Sequence, residues 1–187
     1  MMKKLINPFC YLPLRQAICW GVVAMILTAI FNWQCGLRAT SLTQVDFGGG
    51  TLLSATVRQV VLWITFSVIL FALGVAASKS KVRFSDVAAF NLFARIPFDL
   101  SLLMFAVPTV KSIMGYATDG NIDILMQHMS LLAIVGFASA LFSIWYFIWS
   151  YKAFAEATNV KNGKGVAIFI LCYILAYLLT GYVMKFL

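Results

Sequence analysis

Five stretches of this chain, Gln16 to Gln34, Val57 to Ala77, Val87 to Val107, Leu131 to Tyr151 and Val166 to Met184, are long and apolar enough to cross a bilayer as helices. A hydrocarbon core takes about 20 apolar residues per helix, and its lack of water obliges the backbone to bond to itself, which a single segment does only as a helix. The pattern predicts an all-α polytopic bundle of five transmembrane helices, forming one integral membrane domain over residues 1–187. Composition agrees: 63% hydrophobic residues, 11% charged residues and a mean hydropathy of +0.94 lie outside soluble globular usage. The five spans take up more than half of the chain, which leaves no room beside them for a soluble catalytic domain.

A positive start followed by an apolar run is also the layout of a secretory leader. The sequence FNWQCGLRA behind the first run offers no A-x-A-like cleavage site, so an uncleaved first helix is expected.

A net charge of +8 raises the question of nucleic acid, but that partner needs a basic face clustered on a folded module, and here the charges sit between the spans. Lys3, Lys4, Arg15, Lys79, Lys81, Arg83, Lys152, Lys161 and Lys164 fall on one side of the predicted membrane. Only Arg38, Arg58, Lys111 and Lys185 fall on the other, and Arg95 lies within a span. An excess of Lys and Arg in short loops marks the cytoplasmic side, so the amino terminus is expected inside and the carboxyl terminus outside. The bilayer itself is the expected partner, with juxtamembrane lysines attracting anionic headgroups and no role for nucleic acid.

The connections carry few chemical signals. Cys10, Cys19, Cys35 and Cys172 form no C-x-x-C pair, so neither a metal site nor a disulfide framework is implied. Gly48-Gly49-Gly50 is no phosphate loop, since no G-K-[ST] follows; a flexible loop along the membrane surface is expected there. In the second outward connection Thr118 and Asp119 are candidate caps for a short interfacial helix carrying Ile122, Leu125, Met126 and Met129. Asp119, Asp123 and His128 invite a metal reading, but Asp123 and His128 stand about 140° apart around a helix and do not converge from it. No metal or cofactor is expected. On the inward side, FAEATNVKNGKG reads as a helix running past the membrane and stopping at Asn162-Gly163.

Within the spans two packing signals appear. Ala133, Gly136, Ala140 and Ser143 recur at spacings of three and four, a small-residue stripe that lets membrane helices, including those of a second copy, approach closely. Beyond it Trp145, Tyr146, Trp149 and Tyr151 suit an aromatic belt at the cytoplasmic interface. In the last run Tyr173, Tyr177 and Thr180 share a face, and hydroxyls at such depth are expected to bond to a neighbouring helix.

The sharpest signal is NLFARIPFDL in the third run. Asn91, Arg95 and Asp99 are spaced four and four, which sets them on one helical stripe, and Pro97 sits at the middle of the span. A central Arg or Asp costs roughly 2.5 to 3.5 kcal/mol against lipid, so the two are expected to pair, with Asn91 as their nearest extra partner. Pro97 donates no hydrogen bond and frees the carbonyl of Phe93, so a kinked or broken helix is expected around one local polar network. Such a network either fixes helix packing or marks an ion or substrate site. No His/Glu, Ser/Lys or paired-carboxylate set appears at depth, so the chain is not expected to be an enzyme.

The order of motifs also carries a likeness. Asn7-Pro8 near the start, SKSKVRFSDV before the third run, ARIP within it and Y-x-A-F-x-x-A-T-N-x-K-x-G from Tyr151 to Gly163 together resemble the bacterial branch of the Ypt-interacting protein (Yip) domain family. The resemblance covers nearly the whole chain and implies five helices with the amino terminus inside, in the bacterial inner membrane. The Asp-Leu-Tyr-Gly-Pro motif of eukaryotic members is absent, so their association with Rab-type GTPases carries over to no residue here. What the resemblance implies is a non-enzymatic protein that organises membrane or scaffolds protein partners on its cytoplasmic loops. The alternative is a small transporter or channel built on Arg95 and Asp99.

Overall fold

The computed structural model describes residues 6–118 and 122–187. Lys3, Lys4 and Asp119 of the foregoing arguments lie outside the described residues. The chain is nearly all helical, and among the described residues five helices are long and apolar enough to cross a membrane. The architecture is that of an integral membrane protein.

After a 3₁₀ turn at Pro8–Cys10, helix α1 runs over Leu14–Cys35 and ends at Gly36, whose φ of 69° is a left-handed cap that a side chain would strain. Two short strands follow, β1 at Leu37–Ala39 and β2 at Val45–Phe47, paired antiparallel with Arg38 opposite Asp46. Helix α2, Leu52–Ala77, is capped by Thr51, whose hydroxyl accepts from Ser54 N at 3.2 Å. Next come α3 at Phe84–Ala94, α4 at Ile96–Leu102 and a 3₁₀ turn to Ala106. Then α5 spans Pro108–Thr118 and α6 spans Ile122–Gln127, before the long α7 at Met129–Thr158 and α8 at Asn162–Val183.

All five spans exist, each starting two to five residues before its expected position, and α7 ends seven residues later than expected, at Thr158. Three features differ in kind. The Gly-rich connection is not a loose loop: the N–H groups of Gly48 and Gly49 both donate to Gly36 O, at 3.2 and 3.1 Å, and close the hairpin at its base. The third span is followed by α5, an unexpected amphipathic helix that buries Val110 and Ile113 while Lys111 and Ser112 face outward. Finally, α7 stops at Asn159, in the left-handed region with φ 56°, and Asn162-Gly163 opens α8 instead of stopping α7.

The core is assembled where α2, α7 and α8 meet. Arg58, Leu62, Phe66, Leu70 and Gly74 repeat every four residues along α2 and are all buried. A side chain at Gly74 would sit 2.6 Å from Thr158 Cγ2, and one at Gly21 would sit 2.7 Å from Leu92 Cγ, so these two glycines set the approach of α2 to α7 and of α1 to α3. In the aromatic run of α7, Trp145 and Tyr151 are half-buried, while Tyr146 and Trp149 are buried. Tyr146 packs against Phe98, and Trp149 stacks on Phe93 at 5.4 Å between ring centroids with its edge toward Phe9. Because α7 extends two turns past residue 151, these rings lie inside the bundle rather than at its rim.

Candidate functional site

The helical hydrogen-bond pattern breaks at Arg95, two residues before Pro97. Arg95 N–H turns back to Leu92 O, at 3.4 Å, in a tightened turn, and regular bonding resumes with Asp99 N–H to Arg95 O at 3.1 Å. Pro97 sits in the first turn of α4, where its missing N–H costs nothing. The expected break is therefore present, and α3 and α4 still form one crossing from Phe84 to Ala106.

Arg95 and Asp99 pair as expected, with Arg95 Nε 3.4 Å from Asp99 Oδ1 and both side chains less than a tenth exposed. The contact is one of charge: neither Nε nor Oδ1 has a hydrogen-bond partner. The guanidinium also lies over the Phe98 ring, 5.3 Å from its centroid. The Thr28 hydroxyl of α1 stands beside the carboxylate.

Asn91 does not join this pair. Its amide donates to Ser67 Oγ on α2 at 2.8 Å, and one turn away Trp63 Nε1 of α2 donates to Ala88 O at 2.9 Å, so the polar groups of α3 tie it to α2. The break at Arg95 ends the common stripe: Asn91 belongs to the last turn before it and Asp99 to the first turn after it. The expected single network is thus two, a neutral one between α2 and α3 and a charged one within α4.

Beside the charged pair a groove of about 310 Å³ runs between α1 and α4, with Thr28 and Asp99 at its floor and Trp20, Leu27, Leu100 and Leu103 among its walls. Those four wall residues are all exposed on the side that faces lipid in a bilayer. The groove is accordingly apolar and lateral.

The remaining candidates separate. Ala133, Gly136 and Ala140 are exposed and Ser143 is half-buried, so among the described residues the small-residue stripe faces outward over most of its length; an added Cβ at Gly136 meets nothing within 4 Å. Asp123 lies in α6 and His128 just after it. The hydroxyl face of α8 does point inward, but its partner is the hairpin turn and not a helix: Tyr173 OH bonds to Thr43 Oγ1 at 2.9 Å, and Thr180 Oγ1 to Ser41 Oγ at 3.2 Å.

One buried group escaped the sequence reading. Arg58, assigned to an outward loop, is 2% exposed and donates through Nη1 to Ala39 O at 3.1 Å and to Met184 O at 3.3 Å. The signal was the four-residue repeat from Arg58 to Gly74, which begins one residue inside the expected span and sets Arg58 on the buried face of α2. Compared with family models, curated proteins and solved structures, the chain matches none.

Proposed function

We propose that this chain is a non-enzymatic, Yip-like integral membrane protein that organises the membrane or scaffolds protein partners, set in a bacterial inner membrane with its amino terminus inside. The observation that carries the reading is the enclosure of Arg95 and Asp99: they pair within one helical turn, are buried, and adjoin a groove walled by apolar side chains. A pair placed to move ions across a bilayer needs water on at least one side. Two further observations support it. The lysine-bearing linkers meet at one end of the bundle, where Ser78, Lys79, Asn159, Lys161 and Lys164 line a shared recess that suits a cytoplasmic partner. The outward-facing Ala133, Gly136 and Ala140 suit close approach of a second copy.

The unbonded Asp99 Oδ1 at the groove floor favours a second reading, a small transporter or channel using the Arg95 and Asp99 pair. Reconstituted vesicles separate the two. Under the scaffold reading, vesicles holding the full chain keep proton, potassium and chloride gradients as tightly as empty ones. A leak that disappears in the folded double variant Arg95→Gln, Asp99→Asn overturns it in favour of transport.

A further inference from the structure

Arg58 is a guanidinium buried without a counter-charge. Its bonds run to Ala39 O, Met184 O and Ser54 Oγ, all neutral, and among the described residues no carboxylate forms an ion pair with it. Arg38 is close enough for the two like charges to repel. The Arg58 side chain borders a small recess shared with Arg38, Gly49 and Gly50.

Arg38 also lines a larger cleft. Between the hairpin and the end of α8 lies a cleft of about 760 Å³, lined by Arg38, Gln44, Asp46, Tyr177, Tyr182 and Lys185 among others. Asp46, opposite Arg38 in the hairpin register, is the sole acid of its lining, so two cations at the cleft face one anion. Below the cleft, Leu171, Leu175, Leu178 and Tyr182 are exposed on α8 at spacings of four, three and four, one apolar stripe that leads from the cleft down the bilayer-facing side.

A cationic polar pocket continuous with an apolar stripe has the chemistry of an amphiphile. From this arrangement we infer that the cleft is a binding site for an anionic phospholipid, its phosphate held by Arg38 and Lys185 and its acyl chain lying along Leu178, Leu175 and Leu171. A free phosphate shares the headgroup chemistry but makes no use of the stripe. The inference is independent of the Arg95 and Asp99 pair.

The test is retention of phosphatidylglycerol against phosphatidylcholine by the purified full chain, read as bound-lipid adducts by native mass spectrometry, with inorganic phosphate as competitor. Each cation near a lipid headgroup is worth about 1 kcal/mol, a factor of about five, so Arg38→Gln with Lys185→Gln is expected to weaken phosphatidylglycerol retention about 25-fold and leave phosphatidylcholine unchanged. Arg38→Lys with Lys185→Arg keeps the preference. If the double glutamine variant does not fold, Lys185→Gln alone, at an exposed position, carries the test with an expected loss of about fivefold. Equal retention of both lipids by the native chain, or unchanged preference in the folded variant, overturns the site. Displacement of the lipid by millimolar inorganic phosphate overturns the lipid assignment and assigns the cleft to a soluble anion.

Discussion

Two arginines are buried in this protein, and they are accommodated in opposite ways. Arg58 lies in an unbroken helix near one end of the bundle and donates to carbonyls of two other segments, the β1 strand and the turn after α8. Arg95 lies at a break in the middle of its span and is held by an acid four residues along the same segment. The first arrangement ties three parts of the chain together. The second neutralises charge locally, with the Thr28 hydroxyl of α1 beside the carboxylate. A buried arginine is thus a clasp when carbonyls from elsewhere satisfy it, and a self-contained pair when its own helix supplies the counter-ion.

The comparison is most easily broken at Arg58. Replacement by Ala removes three hydrogen bonds from a charged donor and leaves a cavity where α2, the hairpin and the end of α8 meet, so a loss of about 4 kcal/mol is expected in thermal unfolding in detergent, with the hairpin becoming open to protease. A small shift in melting would show that Arg58 is no clasp. At the other site Asp99→Asn leaves a guanidinium buried and unpaired, with an expected cost of about 3 kcal/mol.

The double variant Arg95→Gln, Asp99→Asn is the sharper measurement. Removing both charges at once is expected to cost about 1 kcal/mol or less, far below the single change, because the pair spans one turn and no unpaired charge is left buried. Additive losses would show instead that each charge has partners across the bundle. Tyr173→Phe tests the hairpin anchor without touching either arginine, by removing the bond to Thr43. About 1 kcal/mol is expected, together with faster amide exchange confined to the hairpin.

The two sites also differ in how far they were legible. Arg95, Pro97 and Asp99 interrupt an otherwise apolar run, and their spacing within one segment foretold both the pair and the break, since both are interactions over four residues or fewer. Arg58 sits near the start of its span, where Lys and Arg usually reach water, so the same residue type read as a loop charge. The hairpin was hidden for a related reason: LRA and VDF each alternate over only three residues, and Tyr173 and Thr180, more than 120 residues away, hold the turn between them. Asn91 misled because its spacing to Arg95 pointed along the helix, whereas its partner, Ser67, comes from across the bundle.

The sequence by itself determined the number of spans, the break in the third and the pairing of Arg95 with Asp99. Each follows from the cost of placing a given residue in hydrocarbon, which neighbours in the chain largely decide. Only the tertiary structure decided that Arg58 is interior, that Asn91 bonds to α2, that the tyrosine face of α8 seats a hairpin, and that Ala133, Gly136 and Ala140 face outward. Those outcomes depend on which faces meet, and every apolar helix has several faces of nearly equal hydrophobicity. In a membrane, packing and a few hydrogen bonds choose among them.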